Sequence, residues 1–265
     1  MKDFYFSLAS GSQRIAAEKL LWPHILVSHN AVRKNPLPRT HKYTLFVDCG
    51  GYTAALLNGD FQTSDEDYLN FVDEVGADFY ALRDYPCELQ VLQTWRRTVN
   101  DHIEMTISRH INLLELHEKM GLKSTAIPVI QGLTLEDYLH CIDRFREQDL
   151  IRDYMAIGTL CRRGGIKEIQ KIILGIRAEV NRAQLHGFGV KVTALKMPGV
   201  WDAIHSVDSV AWDYAARWKK HRGELSVPEA SEIEARRYVL MLENMKRRFE
   251  NQSKLTMFQK GVPSA

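Results

Sequence analysis

A chain of 265 residues that is 45% hydrophobic can bury one large core, which makes a single domain the expectation. A formal charge of +2 and a pI near 8.3 exclude the strongly basic composition that would by itself announce a nucleic-acid partner, so such a role must rest on where Lys and Arg cluster. Four scattered cysteines, Cys49, Cys87, Cys141 and Cys161, exclude zinc-finger spacing and a secreted disulfide framework and suit a reducing cytoplasm; with no leader and no apolar run of about 18 residues, a soluble, unprocessed protein without a membrane span is expected.

Short apolar or β-branched runs recur at residues 3–7, 24–28, 44–48, 78–82, 126–130, 154–158, 186–190 and 203–208. Between most of them lie stretches of helical period, among them 88–120, 135–149 and 166–185. Strands alternating with helices predict parallel crossover units, and eight such strands predict an α/β fold of the (β/α)8 TIM-barrel kind. The first run also reads as a hairpin ahead of the barrel, and the seventh is short and broken by Gly187 and Gly189. Residues 198–201 and 219–228 read as loops, 229–251 as a charged amphipathic closing helix, and 252–265 as a frayed or locally docked tail.

In such a barrel, polar residues at the C-terminal ends of strands face the mouth where chemistry occurs. In chain order these are Asp48 with Cys49, Gly50, Gly51 and Tyr52, then Arg83 and Asp84, then Gln131 and Gly132. Gly158, Thr159 and Leu160 follow, then Lys191, and finally Asp208 with Ser209. Asp48, Asp84 and Asp208 therefore converge from distant strands. Converging carboxylates suit displacement at a sugar carbon, where one traps an oxocarbenium-like centre covalently while another moves the proton of the departing base. A third ionised Asp can accept two hydrogen bonds, matching the N1–H and exocyclic amine of guanine, and Gln131 offers both a donor and an acceptor. The Gly50–Gly51 turn admits a flat ligand, and Tyr52 can stack on it for about 1–3 kcal/mol.

Each of these features also has a plainer reading. An Asp at a strand end caps the following helix, and paired glycines punctuate a tight turn. His186 and His205 have no partner at metal spacing and read as core or interface histidines without assigned function. The basic runs at Arg162 and Arg163, and at Arg217, Lys219, Lys220 and Arg222, read either as solvated faces or as contacts to a phosphate backbone passing the mouth.

The order of these fragments, from Asp48 to about Arg217, resembles the tRNA-guanine transglycosylase superfamily. Val47-Asp48-Cys49-Gly50-Gly51-Tyr52 resembles its Asp-Ser/Thr-Gly-Gly-aromatic motif, which implies Asp48 as general acid/base and Tyr52 as the ring that stacks on the base. Pro128-Val129-Ile130-Gln131-Gly132 resembles its guanine-reading Val-Gln-Gly strand. Residues 154–160 resemble its Ala-Ile/Val-Gly-Gly-Leu strand, with Thr159 in place of the second glycine. Val207-Asp208-Ser209 resembles the Phe-Asp-Cys/Ser motif of its nucleophile, and Asp84 falls where the family keeps its base-recognising Asp. The resemblance implies that Asp208 attacks C1′ and releases guanine, that Asp48 moves the proton, and that Asp84, Gln131 and Gly158 read the purine. Cys49, Gly50, Gly51, Gly132 and Thr159 would complete the base site, and no cofactor is implied.

The sequence has no cysteine after Cys161, so the zinc subdomain of the tRNA enzymes has no counterpart and no metal site is carried over. The compact zinc-free form is most like the DNA-directed, DpdA-like branch of phages and bacteria. This implies DNA and a free 7-deazaguanine, such as 7-cyano-7-deazaguanine, as partners, with tRNA as the alternative polymer and a homodimer left open. Two other classes compete: a catalytically silent barrel that only binds nucleic acid, and a hydrolase of free nucleosides or glycosides that uses the same carboxylates.

Overall fold

The computed structural model describes residues 3–32, 37, 41–214, 216 and 226–259, with 32, 227 and 252–259 described by their backbone alone. The strands are β1 (Asp3–Leu8), β2 (His24–Ser28), β3 (Thr44–Asp48), β4 (Phe79–Ala81), β5 (Thr125–Ile127), β6 (Val129–Ile130), β7 (Tyr154–Ile157), β8 (Gln184–Gly187) and β9 (Ser206–Ser209). They form one sheet in the order β5-β4-β3-β2-β1-β9-β8-β7-β6. Every pairing is parallel.

β5 and β6 are one predicted strand interrupted at Pro128, which has no N–H to give to the ladder. Its carbonyl still accepts the Ala156 N–H at 2.8 Å. Since β5 pairs with β4 and β6 with β7, chain continuity across Pro128 joins the two ends of the sheet and completes an α/β barrel of the TIM type.

Three strand expectations are corrected. The first run is no preliminary hairpin: β1 lies between β2 and β9, and Tyr5 pairs with Asp208. β8 starts two residues earlier than predicted and ends at Gly187, before Gly189 turns the chain out of the sheet at φ 62. β9 starts late because residues 200–203, predicted as loop and strand, form a helical turn.

The helices are α1 (Gly11–Leu20), α2 (His29–Val32), α3 (Gly51–Asn58), α4 (Asp65–Glu74), α5 (Leu89–Trp95), α6 (Val99–Met120), α7 (Leu135–Glu147), α8 (Ile166–Glu179), α9 (Val192–Leu195), α10 (Val200–Ala203) and α11 (Val227–Gln259). The predicted helical stretch 88–120 divides because Arg96 adopts the left-handed conformation at φ 50 and Thr98 opens a new capping box with Asp101. α11 runs eight residues past the predicted closing helix, since no Gly or Pro interrupts the chain before Gly261. Among the described residues, no helix is long and apolar enough to cross a membrane.

Strand alternation sorts the apolar residues into two cores. Tyr5, Leu26, Phe46, Ala81, Ile127, Val129, Tyr154 and Ala156 fill the barrel interior. Their neighbours Phe4, Phe6, Ile25, Val27, Leu45 and Val47 pack outward into the layer beneath the helices. α11 closes the barrel against α1 through Lys19–Glu232 at 2.6 Å and against β1 through the Phe4–Tyr238 ring contact at 5.3 Å. Asp213, 2% exposed, ties the turn after β9 to both helices, accepting from Gln13 Nε2 at 3.0 Å and from the Ser231 hydroxyl.

Candidate active site

The C-terminal strand ends surround a cavity of about 390 Å³, inside the roughly 300–1,000 Å³ range of small-ligand sites. Asp48 enters it from the end of β3, Asp84 from the segment after β4, and Asp208 from within β9. Gly50, Gly51, Tyr52, Gln131, Gly158 and Thr159 also line it. Cys49 and Gly132 stand behind the wall: Cys49 is fully buried, and a Cβ at Gly132 would meet the Tyr138 backbone nitrogen at 2.7 Å.

Asp84 is 8% exposed and held on both oxygens. Cys49 Sγ–H donates to its Oδ1 at 3.0 Å, and the Gln131 amide donates to its Oδ2. Burial holds its pKa above the usual carboxylate range, with the two donors pulling the other way. The Thr159 hydroxyl donates to Gln131 Oε1 at 2.6 Å and accepts the Cys87 N–H at 2.9 Å, which fixes the amide with its nitrogen toward Asp84. Each carboxylate oxygen of Asp84 keeps a further lone pair for a ligand donor.

The backbone explains two of these positions. Gly158 is required because any Cβ there would collide with the Gln131 amide. Thr159 adopts φ 53, a conformation uncommon for a β-branched residue, and its hydroxyl bridge to Gln131 and Cys87 holds it there.

Asp48 is half-buried, and its pKa is pushed up to about 7, first by burial and then by the charges of Asp84 and Asp208. Hydrogen bonds from the Gly50 N–H, at 3.3 Å, and from Ser28 oppose the rise. Glu88 also lines the cavity; burial pushes its pKa up to about 7, and its carboxyl lies 3.4 Å from the Thr159 hydroxyl. Asp208 is 7% exposed. Its Oδ1 accepts the Gly189 N–H at 2.8 Å and faces His186 Nε2 at 3.4 Å, while its Oδ2 accepts the Ser7 hydroxyl at 2.6 Å.

The basic candidates divide. Arg162 is exposed at the rim, with its guanidinium 4.5 Å from the centroid of the Tyr52 ring. Arg163 is instead committed to the protein: it donates to the carbonyls of Thr159 at 2.8 Å and Leu133 at 2.6 Å and pairs with Glu168 at 2.5 Å. Its guanidinium therefore braces the turn and is not free for a phosphate. Lys191 lines the cavity, its Nζ donating to the Arg163 carbonyl at 2.8 Å. Arg217, Lys219, Lys220 and Arg222 lie outside the described residues.

Arg83, expected at the mouth, points the other way. It is fully buried, ion-paired with Asp65 at 2.8 Å and seated on the Phe61 and Tyr68 rings, because strand alternation turns it outward when Asp84 turns in. His205 sits at the opposite end of the barrel, 3.4 Å from Asp3. Sequence reasoning missed Ser7, Glu88, Gly189 and the contact of His186 with Asp208. Ser7 follows the same strand-end rule and was findable; Glu88 stands beyond a strand end, where no rule reaches.

Among the described residues, no group of three or more His, Cys, Asp or Glu side chains could hold a metal ion. The molecule is thus an α/β barrel whose mouth gathers Asp48, Asp84, Glu88 and Asp208 around one ligand-sized cleft. The family model DpdA, described as DeoxyPurine in DNA protein A, matches residues 14–241, and the chain belongs to that family. Among curated proteins, none matches the chain.

Proposed function

We propose that the protein is a DNA transglycosylase that exchanges guanine for a 7-deazaguanine, such as 7-cyano-7-deazaguanine. The observation that carries this reading is the presence of Asp48 and Asp208 in one cavity beside the Asp84–Gln131 pair. The family description, a deoxypurine in DNA, supports DNA as the polymer.

In the first half-reaction, Asp208 forms a bond to C1′ as the C1′–N9 bond breaks. The electron pair leaves with guanine, which takes a proton from Asp48. In the second, N9 of the incoming base attacks C1′, its proton passes to Asp48, and the bond to Asp208 breaks. A carboxyl with a pKa of about 7 is available in both forms near neutral pH, as such a shuttle requires. Asp84 would accept from guanine N1–H and the exocyclic amine, and Gln131 and Gly158 would complete the reading of the base edge. The nucleotide must leave the stack to reach this cleft, and Tyr52 with Arg162 offers a rim surface for a neighbouring base or phosphate.

The test is mass spectrometry of nucleosides from DNA and from tRNA, each incubated with protein and free 7-deazaguanines. Incorporation into DNA is expected, together with a denaturation-resistant DNA adduct that Asp208→Asn abolishes while DNA affinity is retained. Incorporation only into tRNA would change the polymer. Full exchange by Asp208→Asn would remove the mechanism.

A further inference from the structure

The two oxygens of Asp208 are held unequally. Oδ2 has the Ser7 hydroxyl, which turns on a single bond and can swing aside. Oδ1 has the Gly189 backbone N–H and faces a buried imidazole. His186 is fully buried inside the barrel, its ring wedged between Phe46 and Phe188 at centroid separations of 4.8 and 4.7 Å.

The other edge of the ring decides which nitrogen carries the proton. Nδ1 lies 2.7 Å from Ser206 Oγ, which lies 2.6 Å from Tyr154 Oη. Were the proton on Nδ1, the bare Nε2 lone pair would face a carboxylate oxygen at 3.4 Å in a buried site, an electrostatic clash. With the proton on Nε2, the chain runs in one direction: Tyr154 donates to Ser206, Ser206 donates to Nδ1, and the positive edge of the ring at Nε2 faces Oδ1 at 3.4 Å, an electrostatic contact longer than a hydrogen bond.

We propose that His186, held as the Nε2–H tautomer by Ser206 and Tyr154, is a positioning residue for Asp208: with the Gly189 N–H it pins Oδ1, so that Oδ2 is the atom that bonds C1′. The inference rests on the reading of Asp208 as nucleophile. As Oδ2–C1′ forms and C1′–N9 breaks, Oδ1 becomes the carbonyl oxygen of the ester and keeps the Gly189 N–H donor and the facing imidazole edge. When N9 of the incoming base displaces Oδ2, the returning electron pair spreads onto Oδ1, and the same two N–H groups stabilise the departing carboxylate.

Two measurements test this. Imidazole nitrogen spectra of the full-length protein should show His186 protonated on Nε2; a proton on Nδ1 overturns the proposal whatever the activity. In single-turnover adduct formation on DNA, His186→Phe should lose about 10- to 100-fold in rate with DNA affinity unchanged. His186→Gln, which keeps an N–H near the Nε2 position, should recover most of that loss. Ser206→Ala should lose less than His186→Phe, and Ser7→Ala should change the rate least. Should His186→Phe fail to fold, Ser206→Ala and the spectra still decide. A wild-type rate in a folded His186→Phe sinks the positioning role alone, whereas absence of any adduct in the wild type sinks the nucleophile reading beneath it.

Discussion

Asp48 shows how one side chain's surroundings set its chemistry and its cost. Its pKa rises from 3.8 to about 7, chiefly by burial, so the folded protein holds this proton more tightly than the unfolded chain does. The linkage sign follows: stability from this group is complete below pH 3.8 and is lost as pH climbs toward about 7. At about 1.4 kcal/mol per pH unit the ionised group costs up to roughly 4 kcal/mol. Asp48→Asn should therefore be inactive in base release yet more stable than the wild type at pH 8 by about 2–4 kcal/mol, with little difference at pH 4. Chemical denaturation at the two pH values checks this, and equal stabilities at pH 8 would contradict it. Thr159 is the opposite case, strained at φ 53 but bonded to Gln131 and Cys87. Thr159→Gly should leave stability within about 1 kcal/mol, because relief of strain offsets the lost hydrogen bonds. It should nevertheless raise KM for the free base about tenfold, since the Gln131 amide then loses the partner that orients it. Exchange kinetics against base concentration separate the two effects.

Among the elements, α7 has the most direct hold on the site, because its N-terminus follows Gln131 and Gly132. Asp137 Oδ2 accepts from the Thr134 N–H at 2.7 Å and the Leu133 N–H at 3.2 Å, closing a capping box. Asp137→Ala should cost about 1–2 kcal/mol in thermal or denaturant unfolding, and an effect below about 0.3 kcal/mol would show the cap to be idle. The Thr134-x-x-Asp137 spacing went unread in the sequence, whereas the barrel strands were legible as apolar runs bounded by turn residues. Their ends were less so. The break at Pro128 was readable from the proline itself, whereas the early start of β8 at Gln184 and the helical turn of α10 follow from pairing partners and packing that a local window does not contain. The candidate site divides along the same line. Asp48, Asp84 and Gln131 stand at or just beyond strand ends, and Asp208 one residue before the end of β9, where topology alone aims them at the mouth. His186 holds the same penultimate place in β8, but its ring is buried against Phe46 and Phe188 and meets Asp208 only because β9 runs alongside, so nothing near it in the sequence marks the contact.

For the molecule as a whole, a net charge of +2 gives no general attraction to DNA, so the proposed DNA binding calls for local clusters of cations, of which Arg162 at the rim is a candidate. Two neighbouring arginines make that claim testable. Arg162 projects from the rim over Tyr52, while Arg163 spends its donors on the carbonyls of Thr159 and Leu133 and on Glu168. A side chain that neutralises a phosphate releases a counterion, and its removal lowers the slope of log affinity against log salt by about 1. Arg162→Ala should lose about that much slope and keep its stability. Arg163→Ala should keep the wild-type slope and lose about 1–3 kcal/mol of stability, because buried carbonyls lose their donor. In the sequence both arginines read alike, as a solvated face or as phosphate contacts, since adjacent letters do not reveal which one folds inward. Titrations of DNA binding at several salt concentrations, paired with unfolding curves, distinguish them, and equal slope losses for the two would mean that the Arg163 brace opens when DNA arrives.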